Sequence, residues 1–202
     1  MKIALDAGHG GRHLGKVIGD IQEKDINIKI VAYLIEVLKS YDLLLTREAD
    51  NTVSLLDRAI LTKKFQPDCF ISIHCNAFAT PEPRGHAIYY HHIYGSEPYI
   101  TKQKLSRNLA TCITNTVKNR CNIPFHGIGI KDDYEVYDKT GFKVLRLLSD
   151  PQVCDNPIPA ILIETLFMTN PTDIELLKSD EFLKKVASSI AYGLEIWAQV
   201  SL

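Results

Sequence analysis

The chain lacks any apolar run of the length that crosses a membrane, which takes about 20 residues. Its opening segment, Met1 to Asp6, is interrupted too early to form the apolar centre of a secretion signal. Internal repeats, low-complexity segments and an obvious linker are missing as well. We therefore expect no membrane span and a single domain over residues 1–202, and no export route is defined.

The chain also has little that would suggest disulfides, structural zinc or nucleic acid. Its cysteines are odd in number and form no CxxC pair: Cys69, Cys75, Cys112, Cys121 and Cys154. This pattern argues against a disulfide framework and a zinc knuckle, and favours reduced, mostly buried thiols. The 23 Lys and Arg residues nearly balance the 24 Asp and Glu residues, for a net charge of −1. Such a balance predicts no nucleic-acid partner and no strong attraction to anionic membranes.

What the chain does have is the apolar content of a globular protein, with 46% hydrophobic residues over 202 positions. Hydrophobic periodicity predicts strands at 2–6, 42–46, 69–74, 85–91, 142–148 and 159–164. It predicts helices at 24–40, from Ser54, at 98–119, at 170–178 and from 179 or 180. This alternation indicates an α/β single-domain sandwich, with a largely parallel twisted sheet flanked by helices on both faces.

Three reactive side chains fall at the carboxyl ends of predicted strands, where parallel sheets bind ligands. His9 follows the first strand, His74 ends the strand at 69–74, and Glu164 ends the last. Together with Glu23, the two histidines form a ligand set suited to a catalytic zinc with one open position. Glu164 then suits a general base. Taken singly, each has a simpler explanation, because a lone His is usually structural and Glu23 would also stabilise a helix dipole.

A series of short motifs gives these residues a more specific context. They are Leu5 to Gly11, Glu23 to Asn27, Thr46-Arg47 with Val53 to Leu55 and Arg58, Ser72 to Ala77, Gly129 to Lys131, Val144 to Arg146, and Pro159 to Glu164 with Phe167 to Asn170. In this order, and over nearly the whole chain, they resemble the zinc-dependent N-acetylmuramoyl-L-alanine amidases of the amidase 3 type.

The resemblance implies that His9, Glu23 and His74 bind one Zn²⁺ per chain and that Glu164 is the catalytic glutamate. It implies peptidoglycan as the substrate, cut between N-acetylmuramic acid and the L-alanine of the stem peptide. The site of action would be the bacterial cell wall, periplasmic or extracellular, and no separate wall-binding module is expected within residues 1–202. Two alternatives remain open: an inactive peptidoglycan-binding module, and a zinc peptidase acting on another cell-wall amide.

Four further residues are weaker candidates for roles in the site. Asp6 and Asn76 are predicted to orient zinc ligands, although a local turn hydrogen bond explains each equally well. Lys131 and Arg146 are predicted to contact substrate carboxylates, with simple solvation as the alternative.

Two other features of the sequence need an explanation. Cys75 suggests a rival nucleophile, but strand alternation places it on the face opposite His74. The segment 132–158 is longer than the resemblance leads us to expect.

Overall fold

The computed structural model describes residues 1–92, 97–136 and 140–201 of the chain. Its strands are β1 Lys2–Ala7, β2 Val17–Ile18, β3 Ile21–Gln22, β4 Asp42–Leu45, β5 Cys69–Asn76, β6 His86–Tyr90, β7 Phe125–Asp132 and β8 Ala160–Phe167. Its helices are α1 Glu23–Val37, α2 Leu55–Phe65, α3 Tyr99–Cys121, α4 Asp133–Val136, α5 Lys143–Ser149, α6 Pro171–Leu177 and α7 Asp180–Ser201. None of these helices combines the length and apolarity needed to cross a membrane.

Six strands form one sheet in the order β4-β1-β5-β8-β6-β7, and β2 pairs with β3 in a separate short hairpin. Strands β4, β1, β5 and β8 run parallel to one another. Strand β6 is antiparallel to β8, and β7 runs parallel to β6. The predicted fold class, a largely parallel sheet between helical layers, is therefore confirmed.

The two faces of the sheet are buried by different helices. Helices α1, α3 and α7 cover one face, and this layer contains the larger apolar cluster. Four apolar residues that recur every four positions along α7 are all buried there: Phe182, Val186, Ile190 and Leu194. Helices α2 and α5 cover the other face with a smaller cluster that includes Phe70, Tyr89, Leu145 and Leu162. The smaller layer leaves room for a cleft on that side.

Two helices begin where the sequence predicted, and each start is capped by a side chain. The Ser54 hydroxyl accepts a hydrogen bond from the Asp57 amide at 3.1 Å, which begins α2. The Asn170 side chain accepts from the amides of Thr172 and Asp173, and Pro171 occupies the first position of α6.

The prediction of a strand at 142–148 is wrong, because this segment forms helix α5. Its buried side chains, Val144, Leu145 and Leu148, recur at helical spacing and pack into the smaller apolar cluster. A short apolar run fits both periodicities, so packing decided between them. Strand β7 was not predicted, since its glycine-rich sequence has no clear alternation. Within the segment 132–158, residues 137–139 lie outside the described part of the chain.

Candidate metal and catalytic site

Two histidines and a glutamate from three separate elements converge at one edge of the sheet. His9 Nε2 and His74 Nδ1 both lie 3.0 Å from the same atom, Glu23 Oε1. The two rings meet edge to face with their centroids 4.8 Å apart. One ligand atom from each residue lies within 4.8 Å of the others. The sequence placed these residues 14 and 51 positions apart, and only the fold brings them together.

The backbone around His9 is held in an unusual conformation. His9 has a φ of 62°, in the left-handed region that residues other than glycine rarely adopt. Arg58 fixes this turn, because its guanidinium donates to the carbonyl oxygens of Ala7 at 2.8 Å and His9 at 2.5 Å. Arg58 in turn pairs with the buried carboxylate of Asp6 at 2.5 Å. Thr46 and Ser72 donate to that same carboxylate.

Asp6 therefore contacts no ligand side chain and acts on His9 only through Arg58. Burial raises the pKa of Asp6, but the charge of Arg58 and the hydrogen bonds from Ser72 and Thr46 outweigh it, so the pKa falls below its usual value. Asp6 is thus ionised at neutral pH, and its charge is neutralised by Arg58.

Glu23 is anchored at both carboxylate oxygens. Its Oε1 accepts from the amide of Cys75 at 3.1 Å, and its Oε2 accepts from the amide of Lys16 at 2.9 Å. Burial raises the pKa of Glu23, but hydrogen bonds and charge from His74 and His9 prevail, and the pKa lies well below its usual value. The Glu23 carboxylate is therefore charged and oriented before a metal ion binds.

Glu164 lies beside His74, because these two residues are register partners across β5 and β8. Its side chain is almost completely buried, and within the described chain Oε2 makes no hydrogen bond. Burial raises the pKa of Glu164 well above its usual value, and the negative charge of Glu23 adds to this shift. A buried carboxyl without a partner is costly, and sites of this kind commonly serve proton transfer.

The ligand set fits a zinc ion. Zinc bound at about 2.0–2.1 Å in tetrahedral geometry places its ligand atoms about 3.3 Å apart. The 3.0 Å separations at Glu23 Oε1 are close to that spacing. Two imidazoles and one carboxylate are typical of catalytic zinc, which keeps a position open for substrate. His9, Glu23 and His74 therefore form a possible metal-binding triad.

The triad and Glu164 open into a cleft of about 730 Å³. One wall comes from the start of α2, where Leu55 and Leu56 are exposed. Another part of the lining is the start of α5, with Phe142 and Val144. A volume of this size is typical of sites for small molecules or short peptides.

The weaker candidates are distributed unevenly around this cleft. Asn76 lines it, and its Oδ1 accepts from the next amide, Ala77, at 2.8 Å. Lys131 lines a separate cavity of about 460 Å³ beside Ile128, with its ammonium 5.7 Å from the ring centre of Tyr89. Arg146 lies outside both linings and donates to the carbonyl of Thr140 at 3.1 Å.

Cys75 lies on the opposite face from His74, as strand alternation predicted. It belongs to the larger apolar cluster, and its sulfur lies 3.7 Å from Asn27 Oδ1. Burial raises the pKa of this thiol well above its usual value, and the charges of Glu23 and Glu164 raise it further. A neutral buried thiol is a poor nucleophile, so the rival interpretation has no support.

Three basic residues of the cleft lining had no predicted role: His13, Lys143 and Arg58. Arg58 belongs to one of the motifs, but its contacts with the His9 turn cross 49 residues. Lys143 falls in the segment that was predicted as a strand. The place of each residue in the cleft depends on long-range packing, which a local pattern does not specify.

An α/β fold with a possible metal-binding triad beside a buried carboxyl is typical of metal-dependent hydrolases, and comparison with known proteins specifies the family. The family model described as N-acetylmuramoyl-L-alanine amidase matches residues 3–196. The chain is 36% identical over 193 residues to the endolysin of Bacillus phage SPP1, covering 94% of this chain and 63% of the endolysin. It is 28% identical over 222 residues to the amidase AmiA of Salmonella typhimurium, covering 95% and 74%.

Solved structures agree with this assignment. The CwlD amidase from Clostridioides difficile, solved in complex with the GerS lipoprotein, superposes with a TM-score of 0.81 at 26% identity over 99% of each chain. An N-acetylmuramoyl-L-alanine amidase from Clostridium difficile 630 gives a TM-score of 0.82 at 25% identity, covering 100% of this chain and 98% of that one. The chain belongs to the N-acetylmuramoyl-L-alanine amidase family, whose members are generally zinc-dependent.

Proposed function

We propose that this chain hydrolyses peptidoglycan at the amide between the lactyl group of N-acetylmuramic acid and the L-alanine of the stem peptide. The reaction would use one Zn²⁺ per chain, held by His9, Glu23 and His74, with Glu164 as the catalytic base. The chain would act on the bacterial wall, outside the cytoplasmic membrane. It covers 63% of the phage endolysin, so this proposal concerns the catalytic part that the two proteins share.

The observation that carries the proposal is the unpartnered Glu164 carboxyl beside the ligand triad. A module that only binds the wall has no use for a buried carboxyl that forms no hydrogen bond through Oε2 in the described chain. Its raised pKa allows the group to gain a proton and then release it during turnover. This favours an enzyme over an inactive binding module.

Zinc and the residues of the chain would have separate roles in the reaction. Zinc in such a site supplies Lewis acidity, which polarises the amide carbonyl and makes water a better nucleophile at neutral pH. Glu164 takes a proton as water attacks the carbonyl carbon. It then delivers that proton to the departing alanine nitrogen, since an amide anion is a very poor leaving group. Arg58 and Asp6 keep the His9 turn in place throughout.

The test is the near-isosteric variant Glu164→Gln. We expect turnover to fall by at least about a hundredfold, the lower range for removing a general base. We expect zinc content to be unchanged and stability to be equal or higher, because Gln carries no buried charge. Turnover is measured as new amino termini on alanine released from purified peptidoglycan, and metal by elemental analysis. If this variant turns over substrate at the wild-type rate, Glu164 is not the catalytic base.

Product masses separate this activity from a zinc peptidase. Cleavage at the proposed bond frees whole stem peptides and leaves sugar chains without peptide. A peptidase acting within the stem leaves shortened peptides on the sugar. We expect only intact peptides with a free alanine amino terminus, and shortened stems would overturn the assignment of the bond.

A further inference from the structure

We infer that Lys143 is a specificity residue that binds a carboxylate of the stem peptide while the adjacent amide is cut. This inference rests on the proposed function, because it concerns the same cleft. It assigns the start of α5 as the peptide-binding wall. It also gives a role to part of the segment 132–158, whose length the sequence left without an explanation.

The charge balance of the cleft distinguishes Lys143 from the other lining residues. Its described lining contains two fixed cations, Arg58 and Lys143. Arg58 is buried and already pairs with Asp6. Lys143 is exposed, and it has no ion pair or hydrogen bond with any described residue. The Lys143 ammonium is therefore the one cation of this lining that is available to an incoming ligand.

The backbone next to Lys143 is held firmly by Asp133. The carboxylate of Asp133 is fully buried and accepts from the amide of Phe142 at 2.7 Å, while its other oxygen lies 2.9 Å from His91 Nδ1. The Phe142 ring packs edge to face on Tyr89, with centroids 5.1 Å apart. Lys143 is thus presented from a fixed position next to a rigid aromatic side chain.

Gly141 completes this arrangement. A Cβ at this position would come within 2.6 Å of the Asp133 carboxylate, so the chain can approach Asp133 closely only with glycine there. The backbone φ of 62° points to the same requirement. The buried Asp133 therefore fixes the direction in which the chain enters α5.

The chemistry of the proposed substrate suits a cation at this position. The sugar is uncharged near the scissile bond, whereas the stem peptide carries carboxylates beyond its first residue. An ammonium next to apolar side chains such as Phe142 and Val144 complements a peptide whose short apolar residues alternate with acids. A partly exposed ion pair contributes about 1 kcal/mol at most, which corresponds to roughly fivefold in kcat/KM.

The experiment compares two soluble probes, a muramyl dipeptide with free carboxyl groups and the same molecule with every carboxyl converted to an amide. For the wild-type chain loaded with zinc, we expect kcat/KM to be roughly fivefold higher for the acid probe. In Lys143→Gln that preference should disappear, with the amide probe cut at the wild-type rate. Lys143→Glu should prefer the amide, and Lys143→Arg should keep the preference for the acid.

The matched control is Lys64→Gln, which removes an exposed lysine at the far end of α2, outside the cleft lining. It should keep the full preference for the acid. An acid preference that survives in Lys143→Gln overturns the inference, as does an equal loss on both probes. If the wild-type chain cuts neither probe nor peptidoglycan, the proposed function fails with it. If the wild-type chain is active but shows no preference for the acid probe, the Lys143 inference alone is wrong.

Discussion

Gly8 allows His74 to occupy its position in the metal triad, and the variant Gly8→Ala tests this directly. A Cβ on Gly8 would lie 2.2 Å from His74 Nε2 and 2.3 Å from Cε1. Ordinary contacts between such atoms are about 3.5 Å or more, so the ring must move by over 1 Å. The backbone cannot move instead, because the Gly8 amide donates to the Ile73 carbonyl at 3.0 Å and its carbonyl accepts from Asn27.

The expected loss follows from the tolerance of a zinc site. Ligand distances must hold within about 0.2 Å, and disturbing only the partners of a ligand already costs about 10- to 100-fold in metal affinity. A displaced ligand should cost at least about 100-fold, or about 2.7 kcal/mol. We expect Gly8→Ala to remain folded but to bind zinc that much more weakly, as measured by competition with a chromogenic chelator.

Gly19→Ala is the matched control. Its new Cβ would meet nothing within 4 Å, although the φ of 58° makes a side chain there strained by about 1–2 kcal/mol. We expect lower stability with unchanged zinc affinity. A Gly8→Ala protein that binds zinc within threefold of the wild-type affinity would refute the reasoning, since it would mean that His74 is not fixed as the structure has it.

Two further predictions concern buried polar groups, the Arg58–Asp6 pair and His86. Arg58→Met should lower the free energy of unfolding by about 3–5 kcal/mol, because it leaves the buried Asp6 carboxylate without its cation. Adding Asp6→Asn should recover part of this loss, as measured by urea titration. If the effects of the two substitutions on the free energy of unfolding are strictly additive, the pair is not coupled. His86 is fully buried with neither ring nitrogen hydrogen-bonded in the described chain, and burial lowers its pKa from 6.5 to about 4 against a smaller opposing effect of the Thr165 backbone. The folded state therefore prefers neutral His86. The contribution of this preference to the free energy of unfolding is complete above pH 6.5 and is lost as the pH falls towards 4. The total loss is about 3 kcal/mol. His86→Leu should flatten unfolding stability over that range, and an unchanged slope would contradict the effect.

Much of the site could be predicted from the sequence, for identifiable reasons. His9, His74 and Glu164 each follow or end an apolar segment, and parallel strands bring their carboxyl ends to one edge of a sheet. Glu23 lies at the start of a helix with clear periodicity. The motifs around these residues are local, so their order along the chain was sufficient to indicate the family.

Other features were decided only by the tertiary structure. The apolar run at 142–148 is compatible with a strand or a helix, and packing against α2 made it a helix that forms one wall of the cleft. The unpartnered Oε2 of Glu164, the Arg58 contacts with the His9 turn and the exposure of Lys143 likewise depend on residues far away in the chain. Sequence determines local periodicity and chemical type, whereas burial, pairing and free charge depend on which distant side chains become neighbours.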